Sequence, residues 1–400
     1  MRLLNRNIVI IVFLIVCFCS ISRISIKLVL SYFTIKNFKQ TFGDINPFFK
    51  KQQIWQKTCG TETKPHSSIL YLKVQKTGST TLRSTLLVYG KRYNLSICFD
   101  ATNLWGLNWP YAVDELKLTK LHNKKCDLIA EEFIFDPVKV RRLMEKDAFF
   151  MASVRHPVEH FLSLFKYSKI QAAVERLTMK RLDKWDSMRL FFKHYHLVLN
   201  IYATYNENEV RDKYQIDFIL PNRQTRSLGI IEGTKLEIIE RVESFHFVVV
   251  ADKYDESMVI LREKLCCTVQ DVLYRRQNVG RTNEENKEQV PPDVVKSILE
   301  FNSADLTFYN VARYRLLEEI KKHSYFEQAL GIFKNELELY ESKCNTQSLV
   351  QSFKYSVCPP ISAMHTGHFV ENIRIEQKRK LLSELRVKYE TACNNTLHIE

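Results

Sequence analysis

A lysine and four hydroxyl-bearing residues lie together in the segment Lys76-Thr77-Gly78-Ser79-Thr80-Thr81. The ammonium of Lys76 and these hydroxyls can all donate hydrogen bonds to an anion. The apolar run Ile69–Leu72 precedes the segment, and apolar residues follow it at helical spacing from Leu82. A strand, a short turn and a helix in this order direct free backbone N–H groups at an anion. We therefore expect a phosphate-binding loop; the alternative is an ordinary connection with a Ser/Thr helix cap.

The order of residues in this loop argues against a nucleotide triphosphatase. In the P-loop pattern a glycine directly precedes the lysine, and the residue after the lysine holds Mg²⁺. Here Lys76 precedes Gly78, and the preceding strand has no glycine. No cysteine and histidine cluster has the spacing of a zinc site. The sequence thus predicts phosphate binding with no metal.

A second strand, loop and helix follow the same pattern. The apolar run 148–154 ends at Arg155-His156-Pro157, and a helix is predicted from Val158. Arg155 stands where the strand ends, and Ser163 lies two turns into the helix. These two residues are candidates for binding a second phosphate. The alternative for Arg155 is a surface ion pair, which is common for a lone arginine.

The elements that must position these residues alternate between strands and helices. Further strands are predicted at 126–130 and 245–251, and helices at 171–205, 255–266, 292–321 and 326–343. Strands separated by helices indicate an α/β fold in which a central parallel sheet is flanked by helices. Between the first two strands lies a polar loop with Trp105 and Trp109-Pro110, which could contact a sugar face or simply pack.

The composition favours a folded protein with an anionic partner. Hydrophobic residues make up 45% of the 400 residues, which is enough for a sizeable core. The formal charge of +14 suits a nucleotide, an acidic glycan or a membrane surface, although a solvated lysine-rich surface would give the same number. The basic residues are scattered and carry no nucleic-acid-binding signature, so nucleic acid is not expected as a partner.

The N-terminus has the pattern of a membrane anchor. Arg2 and Arg6 precede the apolar run Ile8–Cys19, and apolar residues resume at 28–33. We expect a type II membrane protein; a cleaved signal peptide is the competing interpretation. The predicted organisation is a cytoplasmic tail (1–7), a signal-anchor transmembrane region (8–33), a stem (34–66) and a lumenal domain with a C-terminal helical extension (67–400).

Cysteines and sequons fit a translocated chain. Eight of the ten cysteines lie beyond the apolar segment, an even number that permits disulfides but leaves their pairing open. Asn94-Leu95-Ser96 and Asn394-Asn395-Thr396 are acceptor sequons for N-glycosylation. Both asparagines, Asn94 and Asn394, are therefore predicted glycosylation sites.

Four segments together resemble one enzyme family. QKTGSTTL is similar to the 5′-phosphosulfate loop of Golgi carbohydrate sulfotransferases, and VRHPVEHFLS is similar to their 3′-phosphate motif. FHFVVVADKYDESMVILREKLCCTVQDVLYRRQN and FNSADLTFYNVARYRLLEEI resemble later segments of the galactose-3-O-sulfotransferases, which include galactosylceramide sulfotransferase. The resemblance runs from about Ser67 to Lys321.

The resemblance implies a P-loop-like sulfotransferase fold and a Golgi enzyme, single-pass type II, with its catalytic domain in the lumen. The implied reaction moves a sulfuryl group from 3′-phosphoadenylyl sulfate (PAPS), as co-substrate, to a carbohydrate hydroxyl. The expected acceptor is the 3-OH of a galactose in a glycolipid or glycoprotein glycan. By the same resemblance Lys76–Thr81 would hold the 5′-phosphosulfate, and Arg155 and Ser163 the 3′-phosphate. Lys76 would also stabilise the leaving phosphate oxygen.

The acceptor hydroxyl needs a general base, and here the chain departs from the family pattern. The family usually carries a histidine-rich stretch after the second strand, where this chain has Glu131-Glu132 followed by Phe133. The two carboxylates would point in opposite directions in a strand. We favour Glu132 over Glu131 as the base; the alternative is that both are solvated surface carboxylates. The departure also keeps open a catalytically silent binding homologue or a different acceptor sugar, and a lumenal kinase is a further alternative.

Overall fold

A parallel four-stranded sheet is the centre of the fold. The computed structural model describes residues 64–99, 107, 109–113, 125–205, 219–275 and 289–346. The strands are β1 (Ile69–Leu72), β2 (Leu128–Glu131), β3 (Phe149–Val154) and β4 (Phe247–Val250). Their order across the sheet is β2-β1-β3-β4, and every neighbouring pair is parallel. The predicted parallel sheet is confirmed.

Both faces of the sheet are covered. Successive side chains of a strand point to opposite faces, so a strand covered on one side alone would alternate between buried and exposed residues. In β1, β2 and β4 every residue is buried, and in β3 only Phe150 is half-exposed. The near-continuous apolar runs of the strands are therefore explained by helices packed on both sides.

Thirteen α-helices surround or extend the sheet within the described residues. They are α1 (Ser79–Arg92), α2 (Pro137–Leu143), α3 (Pro157–Tyr167), α4 (Ile170–Thr178), α5 (Lys184–Lys193), α6 (Tyr195–Tyr205), α7 (Arg223–Ser227), α8 (Lys235–Glu243), α9 (Tyr254–Lys264), α10 (Val269–Val272), α11 (Pro292–Phe301), α12 (Ser303–Lys321) and α13 (Phe326–Thr346). Asp136 caps α2 by accepting from two backbone N–H groups, as the Asp-Pro sequence predicts.

The helix predicted over 292–321 is two helices, because Asn302 interrupts it. The backbone of Asn302 leaves the helical region, with φ −119° and ψ 41°. Its buried side-chain amide donates to the carbonyl of Ile298 at 3.0 Å, and its side-chain oxygen accepts from the backbone of Asn222 at 3.1 Å. An asparagine that competes for backbone partners in this way ends a helix. The segment predicted as helical over 171–205 likewise contains three helices, α4, α5 and α6.

A second apolar cluster lies among helices α3 to α6 and α11. Phe161 and Phe191 are almost fully buried in it, and Val294 and Ile298 of α11 close it from the C-terminal side. This helical cluster fixes α3, whose N-terminus follows directly from β3. The orientation of α3 over the edge of the sheet is therefore set by packing as well as by its connection to the strand.

One disulfide, Cys98–Cys126, joins the segment after α1 to the segment before β2, 28 residues further on. Cys266 is also disulfide-bonded. Asn94, the first predicted glycosylation site, is exposed in a left-handed turn after α1, whereas Asn394 lies outside the described residues. The predicted signal-anchor also lies outside them. Among the helices that are described, none is both long and apolar enough to cross a membrane.

Candidate active site

The parallel pairing of β1 and β3 brings the two predicted anion loops together. Leu72 and Ala152 are paired in register, so the segments after the two strands leave the sheet at the same edge. The guanidinium of Arg155 lies 3.5 Å from the backbone carbonyl of Lys76, at the limit of a hydrogen bond. Two cationic residues that are 79 positions apart in the sequence thus lie beside each other at the carboxyl edge of the sheet.

The first loop is built on two left-handed residues. Lys76 has φ +62° and Gly78 has φ +77°. Gly78 is the N-cap of α1 and has no side chain with which to cap it, and no acidic residue lies in the first turn. The Ser/Thr-cap alternative is therefore wrong. An exposed glycine at the start of a 14-residue helix leaves room for an anion to approach the first backbone N–H groups.

A row of three hydroxyls lies beneath this loop. The hydroxyl of Tyr71 is 2.8 Å from that of Ser153, which is 2.6 Å from that of Thr77. Thr77 in turn donates to the carbonyl of Val74 at 2.8 Å and is fully buried. The side chain of Thr77 therefore fastens the loop to β3, and an anion would meet the backbone of this residue instead. Ser79 and Thr81 are also buried, while Thr80 is half-buried.

Lys76 holds its ammonium at the surface of the site. The Nζ atom lies 4.4 Å from the ring centroid of Tyr167, the last residue of α3. Partial burial lowers the pKa of Lys76, and the nearby charges of Arg155 and Lys73 lower it further, while Glu132 opposes them. The neighbouring cations repel the ammonium of Lys76, and an anion bound between them would relieve this repulsion.

Helix α3 presents one face to the loop. His160 makes a hydrogen bond of 3.0 Å through Nε2 to the carbonyl of Gln75. The ring of Tyr167 contacts the ammonium of Lys76, the residue after Gln75. Ser163 follows His160 by three residues and precedes Tyr167 by four, so all three share a helical face. The half-buried Ser163 is thus on the side of α3 that faces the loop.

Arg155 is anchored through its backbone as well as its side chain. Its N–H donates to the side-chain oxygen of Gln224 at 2.8 Å, and its guanidinium pairs with Glu159 at 3.2 Å. About a third of the Arg155 side chain is exposed. A surface ion pair is therefore present, as the alternative predicted, and it coexists with the position of Arg155 beside the phosphate loop.

The two glutamates after β2 have different environments. Glu131 forms a buried ion pair with Arg83 of α1, and Glu132 accepts from the ammonium of Lys73 and the side-chain amide of Gln75. Burial raises the pKa of Glu131, while the charge of Arg83 lowers it. The side chains diverge as predicted, and both residues are less than 8% exposed. They are therefore not solvated surface carboxylates.

Sequence reasoning missed the residues that support Glu132. The side chain of Gln75 also accepts from Arg223 at 3.1 Å. Gln75 lies one position before Lys76, at the edge of the loop motif, and the motif gives no reason to single it out. Arg223 is 1% exposed, and its guanidinium carbon lies 3.8 Å from the ring centroid of Trp109. Trp109 thus packs in the protein interior, which is the simpler of its two predicted roles, and Trp105 lies outside the described residues.

No sequence pattern distinguishes Arg223 from the surface arginines, because α7 has only five residues. The helix is held by a buried carboxylate on another element. Asp305 of α12 accepts from the backbone N–H and the hydroxyl of Thr225, each at 2.7 Å, and from the N–H of Gln224 at 3.1 Å. The segment FNSADLTF, which contains Asp305, therefore positions α7 beside the site.

Metal ligands are not grouped at this edge. Within the described ranges no set of three or more His, Cys, Asp or Glu side chains is arranged to hold a metal ion. The cations beside the loop are Lys73 and Lys76, which follow β1, and Arg155, which follows β3, with Glu132 as the adjoining carboxylate.

The fold and the site together define an α/β protein that presents cations and a helix N-terminus at the carboxyl edge of a parallel sheet, the arrangement of an anion- or phosphate-binding protein. The model of the galactose-3-O-sulfotransferase family matches residues 3–323, and the chain belongs to that family. The predicted family membership is confirmed.

The chain is similar to several curated sulfotransferases. It is 28% identical over 221 residues to galactose-3-O-sulfotransferase 2 of Mus musculus, a match that covers 54% of this chain and 53% of that relative. It is also 28% identical over 222 residues to galactosylceramide sulfotransferase of Homo sapiens, covering 55% and 50%. The chain thus spans about half the length of the curated relatives it matches. No solved structure matches it significantly.

Proposed function

We propose that this protein is a carbohydrate sulfotransferase that moves a sulfuryl group from 3′-phosphoadenylyl sulfate to a hydroxyl of a galactose-containing glycan or glycolipid. The observation that carries the proposal is the placement of Arg155 beside Lys76, in the loops that follow two neighbouring parallel strands. A nucleotide with separate 5′ and 3′ anionic groups suits two cationic loops at one edge. Family membership supplies the class of reaction.

The residues divide the work of the reaction. The backbone N–H groups at the start of α1 and the side chains of Lys76 and Thr80 would hold the 5′ end of the donor, and Arg155 with Ser163 its 3′-phosphate. The acceptor oxygen forms a bond to sulfur while the bond from sulfur to the phosphate oxygen breaks. The ammonium of Lys76 stabilises the negative charge that develops on that leaving oxygen.

Glu132 is the better candidate for the general base. Glu131 faces α1, where it forms a buried ion pair with Arg83 that neutralises its charge. Glu132 lies beside Lys73 and Gln75, and Gln75 directly precedes Lys76. Each oxygen of Glu132 accepts one hydrogen bond and has a second lone pair, on which the carboxylate can take the acceptor's proton. Of its two partners, the neutral side-chain amide of Gln75 is the easier one to displace.

The compartment forms part of the proposal. A chain with a signal-anchor at 8–33 would place the sheet in the lumen of the Golgi apparatus. The Cys98–Cys126 disulfide supports an oxidising compartment, since disulfides rarely persist in the cytosol.

Transfer of labelled sulfate from 3′-phosphoadenylyl sulfate to a panel of galactosides and of glycans with other terminal sugars, in the presence of a metal chelator, tests the proposal. Lys76→Met should abolish the labelled product, whereas Lys146→Met, which removes an exposed lysine from a turn before β3, should leave turnover unchanged. Full activity of Lys76→Met would overturn the role of this lysine. Absence of transfer to every acceptor by the wild-type protein would refute the proposed activity.

A catalytically silent binding homologue is the second candidate, and one observation favours it. Both oxygens of Glu132 already have partners. Calorimetry with the desulfated product nucleotide separates the two functions. Binding without transfer to any sugar in the panel would select the silent homologue, and transfer to a sugar other than galactose would instead change the acceptor.

A further inference from the structure

Tyr167 is an exposed aromatic residue at the edge of the candidate site. The residue is 59% exposed, so packing in the core does not account for its position. The ammonium of Lys76 lies 4.4 Å from the centre of its ring. A lysine ammonium within about 6 Å of a ring centroid is attracted by the electrons on the face of the ring.

The backbone of α3 holds this ring in place. Two turns before Tyr167, His160 bonds to the carbonyl of Gln75, so the same helix contacts two consecutive residues of the phosphate loop. The helix is buried through Phe161 and Leu164. The ring is therefore carried by a packed element, although much of its own surface is open to solvent.

Two of the charged groups around Lys76 disfavour its charge. Burial lowers the pKa of Lys76, and the cations Arg155 and Lys73 lower it further; Glu132, the carboxylate that opposes them, is paired with Lys73. His160, which is neutral because burial lowers its pKa, lies beneath the loop. The face of an aromatic ring favours the ammonium over the neutral amine, in the opposite sense to the two cations. Among these groups, Tyr167 supports a charged lysine without supplying a carboxylate that would repel an anionic substrate.

We propose that Tyr167 is a positioning residue: its ring holds the ammonium of Lys76 in place, and in its charged form, beside Arg155 until the anionic substrate binds. The catalytic consequence of this inference rests on the proposed function, but the contact itself does not. A ring can be left without breaking a strong ion pair, so the ammonium is free to move to the leaving oxygen when the donor binds.

Three variants of the full chain isolate the ring. Tyr167→Phe keeps the aromatic face, and Tyr167→Leu replaces it with an apolar side chain that still shields the lysine from water. Leucine is chosen because alanine would also expose Lys76, and greater hydration would raise its pKa and hide the effect. Tyr325→Leu, at a tyrosine that is 52% exposed between α12 and α13, is the matched control.

The direct readout is the pH dependence of Lys76 acetylation, followed by peptide mass spectrometry, which reports the pKa of this lysine without any turnover. Tyr167→Leu should lower the midpoint by about half a pH unit, the shift that a cation–π contact of ordinary strength produces. Tyr167→Phe and Tyr325→Leu should keep the wild-type midpoint. An unchanged midpoint in Tyr167→Leu, or an equal shift in Tyr167→Phe, would overturn the inference.

Turnover separates this inference from the proposed function. If the protein transfers sulfate, the alkaline limb of kcat/KM should move to lower pH in Tyr167→Leu by the same amount, because kcat/KM reports the ionisation of Lys76 in the free enzyme, where the ring still contacts it. If the wild-type protein transfers nothing, the proposed function fails, and the acetylation midpoints still decide whether Tyr167 holds Lys76.

Discussion

The guanidinium of Arg223 donates to the side-chain oxygen of Gln75 across 3.1 Å, although the two residues are 148 positions apart. The amide nitrogen of the same Gln75 side chain donates to Glu132. Because an amide group has a fixed geometry, a partner on its oxygen determines where its nitrogen points. The orientation of the candidate base therefore depends on α7, a helix of five residues that Asp305 holds from a third element.

The two neighbouring glutamates should respond differently to the same substitution. Glu132→Gln should leave the protein folded and lower kcat by about 10²- to 10⁴-fold, the usual contribution of a general base. Glu131→Gln should instead destabilise the fold by about 3 kcal/mol, because it leaves Arg83 buried without its counter-charge. Thermal unfolding and sulfate transfer, measured on both variants, check the pair. Loss of stability in Glu132→Gln together with normal turnover would reverse the two assignments.

Arg155 should contribute to donor affinity beyond its charge. Arg155→Ala should weaken binding of the product nucleotide by about 10- to 100-fold, the value of one or two hydrogen bonds to a charged phosphate. Titration calorimetry measures this directly. Arg189→Ala is the control, since that arginine lies on the exposed surface of α5 and pairs with Asp186 of the same helix and Asp293 of α11. Equal losses in both variants would mean that net charge alone attracts the nucleotide.

Two glycines in helical contexts should give opposite results when changed to alanine. Gly78 has φ +77°, and a Cβ there would lie 3.3 Å from the ring of Tyr254. Gly78→Ala should therefore cost about 1–2 kcal/mol of unfolding free energy and weaken nucleotide binding. Gly331 lies inside α13, where an added Cβ would extend into open space, so Gly331→Ala should stabilise by up to about 1 kcal/mol. Denaturant unfolding of both variants tests this, and a stable Gly78→Ala would refute the need for a left-handed residue.

His160 should make the fold sensitive to acid. Burial lowers the pKa of His160 from 6.5 to about 3, so this side chain is neutral in the folded protein and becomes protonated on unfolding below pH 6.5. The unfolded state then binds more protons, and stability falls as the pH is lowered from 6.5 toward 3. His246, with a pKa lowered to about 4, adds a contribution of the same sign.

His160→Gln keeps a donor for the carbonyl of Gln75 and removes the titration. Between pH 6.5 and 4.5 the unfolding free energy of the wild-type protein should drop by about 2–3 kcal/mol more than that of the variant. Urea unfolding at the two pH values measures the difference. Parallel losses in the two proteins would show that other groups cause the acid sensitivity.

The sequence predicted the donor side of the site because its signals are local. A strand, a loop and a helix follow one another within about 20 residues around Lys76, and again around Arg155, and backbone geometry requires little else. The parallel sheet follows from the alternation of apolar runs and helices, and it then places the two loops side by side.

The environment of Glu132 could not be predicted in the same way, because its partners come from distant parts of the chain. Arg223 belongs to a five-residue helix without periodicity, and Trp109 lies in a polar loop. Their contact depends on the position of α7, which Asp305 of α12 holds, and no local pattern encodes this position. Asn302 illustrates the same limit for the fold, since one side chain with a local partner, Ile298, and a distant one, Asn222, divides a continuous helical pattern.

The hydroxyls of Tyr71, Ser153 and Thr77 can be oriented in only one way. Thr77 donates its single proton to the carbonyl of Val74, so it can only accept from Ser153. Ser153 then donates its own proton to Thr77 and must accept from Tyr71, whose pKa burial raises, so that it stays a donor. Each hydroxyl thus fixes the next, and the row has a direction that runs from the sheet to the loop. Ser153 is the one hydroxyl that both donates and accepts within the row. The attachment of the loop to β3 therefore depends more on this strand residue than on any residue of the loop itself.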